Sequence, residues 1–141
     1  MTQLIDDQLL GTVLRGSPPP RQGADAFTTG YWYVRLCQAV LGSSAGSGAL
    51  SAPLASLPAP IRDRAIQTLV QLPQDIGLIS LRTLAPIIGR LRHRHDLNIL
   101  GMEVLAAAVH LDADVFLSAP SPRLQEALNR ESRRVEVVIG G

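Results

Sequence analysis

Two adjacent carboxylates near the start of the chain are the first residues with the makings of chemistry. Asp6 and Asp7 follow the apolar pair Leu4-Ile5 and precede Leu9-Leu10. Carboxylates are the oxygen ligands of hard cations, but a cation needs several of them, and a lone carboxylate holds magnesium weakly. Neighbours in an extended segment also point to opposite sides, so Asp6 and Asp7 do not converge on one point unaided. The densest basic run is Arg90-Leu91-Arg92-His93-Arg94-His95. On a helix, Arg90 and Arg94 share one side and Arg92 is displaced from them. Such a face can contact phosphate or an acidic partner. It can equally be a solvated face whose cations complement the C-terminal end of the helix dipole, which is the common fate of short charge runs.

Tyr31-Trp32-Tyr33 places three aromatics in a row. Aromatics stack on single-stranded bases, but more often they anchor a core or an oligomer interface. The sequence favours packing or self-association, with Trp32 and Tyr31 as the interface candidates. Nothing has zinc-site spacing: His93 and His95 diverge on a helix, His110 is nearly two turns from Glu103, and there is no HExxH. Cys37, the single cysteine, sits in an apolar helical stretch and reads as a buried structural thiol. No glycine-rich segment ends in GK[ST], so a phosphate loop is absent.

Composition limits the classes further. The chain has 141 residues, 46% of them hydrophobic, and a formal net charge of +1. That is the size of one domain, 1–141, with its own core, and bulk charge singles out neither nucleic acid nor membrane. No apolar stretch reaches the ~18 residues of a membrane span. The first ten residues lack the basic start of a secretory signal. With one cysteine, a reducing cytoplasm is the simplest home. All 13 basic residues are arginine. GC-rich codon usage explains that most simply, although arginine also suits phosphate forks and buried ion pairs.

The elements that must position these residues follow from periodicity and punctuation. A strand ends at Ile5, and a short helix runs on to Leu14 before Pro18-Pro19-Pro20. Residues 21–26 read as loop. Phe27–Leu41 reads as a helix capped by Thr28 or Thr29, with Trp32, Leu36, Ala39 and Val40 at helical spacing. The segment near 42–50 is a flexible internal loop. A helix spans Pro60–Leu72 with Ile61, Ala65, Leu69 and Leu72 on one face, and a strand covers Ile76–Ser80. A helix over Thr83–Arg94 has Pro86 in its first turn. The alanine-rich Gly101–Leu111 is a closely packed helix. Val115–Leu117 is a strand, Ser121–Arg130 a helix with Ser121 as cap and Pro122 first, and Arg134–Ile139 a last strand. Strands alternating with helices imply a three-layer α/β/α sandwich with a short, mainly parallel sheet. In such sheets chemistry sits at the carboxyl ends of the strands, where Asp6-Asp7 and Ser118–Ser121 both fall.

Ile79 to Val138 resembles the second half of a PIN domain, as in VapC-type toxin nucleases. The resemblance lies in the basic helix leading to Leu97, the alanine-rich helix running into Leu111-Asp112-Ala113-Asp114, the strand to Ser118, and the closing Val135-Glu136-Val137-Val138. Leu4-Ile5-Asp6 is similar to the family's opening. Together these cover about half the chain. The resemblance implies a group of carboxylates binding Mg2+ or Mn2+, which activate water against an RNA phosphodiester. The first family aspartate falls on Asp6. The second has no counterpart, because no Asp or Glu occurs between Asp25 and Asp63. The third falls on Gly101, and the fourth on the acid-free segment 118–122. Glu103 is about 200° around the helix from Gly101 and is expected to face away. Arg35, one turn beyond Tyr31, is placed to line the rim left by the missing acid.

The resemblance therefore implies a degenerate PIN-like domain that is non-catalytic, needs no cofactor, and binds RNA or a protein partner in a regulatory or scaffolding role. Arg35, Arg90, Arg92 and Arg94 are its candidate contacts. It also implies a bacterial, cytoplasmic homodimer. Two alternatives stand beside it. One is a divergent endoribonuclease of toxin–antitoxin type, using Asp6 as metal ligand with Asp7 or Glu103 and Mg2+ or Mn2+. The other is a self-associating structural protein.

Overall fold

The computed structural model describes residues 1–42, 54 and 56–138. Its elements run β1 (Thr2–Ile5), α1 (Asp7–Leu14), β2 (Asp25–Thr28), α2 (Gly30–Leu41), α3 (Ala59–Leu69), β3 (Ile76–Leu78), α4 (Leu81–Leu91), α5 (Ile99–Leu111), β4 (Asp114–Leu117), α6 (Pro122–Arg130) and β5 (Val135–Val137). The five strands form one sheet in the order β3-β2-β1-β4-β5, and every pairing is parallel. Helices α1, α2 and α3 pack together, as do α4, α5 and α6, so the protein is a three-layer α/β/α sandwich.

Strand alternation divides the apolar residues between the layers. Leu4, Val115 and Leu117 face a core shared with Leu84, Leu105 and Leu128. Ile5, Phe116 and Ile76 face the other, with Leu10, Leu36 and Val40. β1 is central, and Leu4 and Ile5 are both wholly buried, as a strand covered on both faces requires. No helix among the described residues is long and apolar enough to cross a membrane.

Several boundaries differ from those read in the sequence. The stretch read as loop and helix start, 25–28, is strand β2. It pairs with β1 through Thr2↔Asp25, Gln3↔Ala26 and Leu4↔Phe27, so its hydrogen bonds come from neighbours distant in sequence rather than from any local pattern. The helix that follows begins only at Gly30, where the Thr29 hydroxyl accepts from the Trp32 N–H. α3 ends at Leu69, and Ile61 is exposed rather than inward. α4 starts earlier, at Leu81, because the Ser80 side chain caps it by accepting from the Arg82 N–H. That leaves Pro86 inside the helix rather than in its first turn; its missing N–H falls on an exposed face, where water can satisfy the freed carbonyl. α5 starts at Ile99 on an Asn98 cap. The Ser121 hydroxyl makes no capping bond; instead Gln125 Oε1 reaches back to accept from the Ser121 N–H at 2.8 Å. Residues 43–50 of the loop and Ile139 of the last strand lie outside the described residues.

Gly77 in edge strand β3 stands opposite Phe27 of β2, and the Phe27 ring lies across it where a Cβ would be. Gly77→Ala is expected to displace that ring from the core and destabilise the protein by about 1–3 kcal/mol. Urea unfolding of the variant checks this, and Phe27→Leu in the same chain should recover part of the loss.

Candidate functional site

The strand order reverses between β1 and β4, and in doubly wound sheets the ligand crevice opens at the carboxyl ends of the strands flanking that reversal. Asp6 follows β1 at this point. Its Oδ1 accepts from the Leu9 N–H at 3.0 Å, making it the N-cap of α1. Its Oδ2 accepts from the Ser118 N–H at 2.7 Å and the Ser118 hydroxyl at 2.6 Å. One carboxylate thus caps a helix and ties the ends of the two strands together, with 6% of its surface exposed.

Asp7 and Asp6 serve different neighbours, as expected of adjacent residues. Asp7 Oδ1 accepts from the Gln8 N–H, and its Oδ2 lies 3.3 Å from Arg35 Nε on α2. Burial pushes the Asp7 carboxyl above its ordinary range, the Arg35 charge opposes that shift, and the Asp6 charge adds to it.

Glu103 corrects the sequence reading, which turned it away from the rim. From Gly101 to Ala108 every residue of α5 is buried, so this part of the helix has no outward face. Glu103 is wholly buried and points at the start of α2, accepting from the Gly30 N–H at 3.1 Å and the Tyr31 N–H at 2.9 Å. These are orphan donors of a helix N-terminus, and a carboxylate there also complements the helix dipole.

Position 101 is closed to a side chain without adjustment. A Cβ on Gly101 would meet Leu97 Cβ at 3.1 Å and Asn98 Oδ1 at 3.2 Å, the latter held by accepting from the Gly101 N–H at 2.8 Å. Asp6, Asp7 and Glu103 are each bound to separate protein donors, and among the described residues no three His, Cys, Asp or Glu side chains gather to hold a metal.

The basic run is not one helix face. α4 ends at Leu91 with Arg92 as its cap residue, and the residues of the run have different partners. Arg92 donates to the Leu97 carbonyl. Arg94 grips Glu131 with Nε at 2.8 Å and Nη2 at 3.0 Å. Buried His95 brings Nε2 within 2.6 Å of the same carboxylate. The hydrogen bonds from Arg94 and His95 hold the Glu131 carboxyl down at about 2, so it is ionised and His95 Nε2–H is the donor. Among the described residues, Arg90 is the one arginine of the run with no ion-pair or hydrogen-bond partner, and it is exposed, as is the equally unpartnered His93. Trp32 is likewise corrected: it is 3% exposed and packs in the core with Leu4 and Leu105, leaving half-buried Tyr31 as the surface aromatic. Cys37 is half-buried.

The rim opens instead beside the starts of α5 and α6. α5 leads into the beginning of β4, so its N-terminus lies at the carboxyl edge, and α6 starts just after β4 leaves that edge. Between them is a cavity of about 480 Å³. Its walls include Leu97, Leu100, Pro122 and Leu124, with Arg35 and Arg123 at its margins and no carboxylate in the lining. Arg123 and Ser118 had only been placed in segments by the sequence. The signal for Ser118 was its position after a strand, which does not tell that it would meet Asp6, 112 residues away. No protein-family model matches this sequence, and no curated protein does.

Two substitutions test these assignments. Glu103→Gln offers one oxygen where two N–H groups converge and sets its own donor against the other, so a loss of about 2 kcal/mol is expected in urea unfolding. Glu131 has a folded pKa below its ordinary 4.5. Its contribution is therefore complete above pH 4.5 and disappears as pH falls toward 2. Glu131→Gln should flatten the melting temperature against pH in that window and lower Tm at neutral pH by about 3–8 °C.

Proposed function

We propose that this chain is a degenerate PIN-like domain without efficient metal-dependent nuclease activity. It binds RNA or a protein partner at the rim of its sheet and serves a regulatory or scaffolding role. The observation that carries this reading is the state of Asp6. The one carboxylate at a family acid position has both oxygens engaged by Leu9 and Ser118, and the neighbouring position 101 is a crowded glycine. The PIN resemblance supplies the rest: a strand order with Asp6 and Ser118 at the switch point is compatible with it, and an α/β/α sandwich hosts many functions, so the site rather than the fold must argue.

A cytoplasmic homodimer belongs to the same proposal. Trp32 is removed from that interface by its burial, while Tyr31 is joined on the outer side of α2 by the exposed Val34 and Leu41. Arg35 remains the contact best placed at the rim, and Arg90 the best placed of the basic run.

The test is cleavage and stability together. Purified protein incubated with single-stranded RNA and Mg2+ or Mn2+ should leave the RNA intact, and Asp6→Asn should lower stability by about 1–2 kcal/mol through the lost cap and strand tie. RNA cut by the wild-type protein with either metal, and spared by Asp6→Ala, would overturn the non-catalytic reading in favour of a divergent endoribonuclease.

A further inference from the structure

The cavity between α2, α5 and α6 has a composition that discriminates among partners. Its walls include Leu97, Leu100, Pro120, Pro122 and Leu124 beside the polar Asn98 and Ser121, and among the described residues no aromatic lines it. Proteins that hold single-stranded nucleic acid rely on aromatic platforms for the bases and on a track of cations for the backbone. Here there are two arginines and no platform.

Charge gives the second half of the argument. Arg35 and Arg123 stand on different helices at the margins of the cavity, and the lining holds no acid. Arg35 is bound to Asp7 through Nε, which leaves its terminal nitrogens for another acceptor. Arg123 donates to the Asp96 carbonyl at 2.7 Å. Its 3.7 Å approach to the Asp96 carboxylate joins two side chains 75% and 92% exposed, a pairing that solvent makes weak. Both guanidiniums can therefore donate to a carboxylate from outside without breaking a buried interaction.

We propose that this cavity is a docking site for an acidic segment of a protein partner. An aliphatic or aromatic side chain of that segment enters between Leu100, Pro122 and Leu124, and Asp or Glu residues flanking it meet Arg35 and Arg123. The inference rests on the reading of the rim as a non-catalytic partner site, and it selects protein over RNA. Apolar anchors in pockets carry most of the affinity of such contacts, and rim charges set orientation and discrimination.

The experiment is a selection of displayed random peptides against the full chain. Enriched peptides should combine Leu, Ile, Met or Phe with neighbouring Asp or Glu. A synthetic copy of one should lose about tenfold or more in affinity against the Arg35→Gln/Arg123→Glu protein, whose fold is checked by circular dichroism. It should lose as much against Leu100→Glu, and changing the peptide's apolar residue to Ser should do the same. No enrichment, enrichment of basic peptides, unchanged affinity for the variants, or displacement of the peptide by a uridine oligonucleotide would each overturn the proposal. RNA cleavage in the presence of Mn2+ strikes at the non-catalytic reading instead and is read in a separate assay, so the two failures are distinguishable.

Discussion

The carboxylate of Asp6 is the constraint on which the remaining arrangement depends. A parallel sheet has no hairpins to hold adjacent strand ends together, and at the switch point the chains leaving β1 and β4 set off into different layers. Asp6 closes that gap. By accepting from Leu9 on one side and Ser118 on the other, it fixes the direction in which α1 leaves the sheet and the point at which the chain after β4 turns toward α6. Because β1 is central and covered on both faces, a shift at its end would be felt in both cores.

The same edge shows how buried carboxylates are made tolerable. Asp6 and Glu103 receive backbone N–H groups from helix starts, and Asp7 receives Arg35. Burying an ionised group costs free energy unless it is paired or hydrogen-bonded, and each of these three has been given separate partners. Each of the three is thus compensated where it lies. Glu103 also joins the two helical layers across the top of the sheet, since it belongs to α5 and holds the first turn of α2. Arg94, His95 and Glu131 make a corresponding link lower in one layer, between the turn after α4 and the end of α6.

What could be read in the sequence was whatever has a local cause. The sandwich followed from alternating elements, α5 from its alanine-rich apolar stretch, and the start of α6 from Pro122. β2 was illegible because its four residues form a strand only when β1 and β3 are beside them. The break after Leu91 was illegible for a related reason: Arg92, Arg94 and His95 would continue a helix well enough, but their partners Leu97 and Glu131 are fixed only by the tertiary fold. At the site, Asp6 was recognisable by its place after a strand, whereas its role was not. A carboxylate that caps and one that binds a cation look the same until the groups around its two oxygens are known. Glu103 was misplaced because helical geometry gives angles between residues but not which directions are covered, and here all of them are.

Gly101 carries a consequence for how this surface can change. Leu97 and Asn98 have closed to within 3.1 and 3.2 Å of where its side chain would begin, and Asn98 does so while capping the helix. A new side chain at 101 must push on a Leu97 Cβ that has little freedom and on an amide oxygen already in use. A side chain at 101 therefore comes with a yield of a few tenths of an ångström by Leu97 or Asn98, and its cost falls on the packing of the one or on the cap that the other makes for α5.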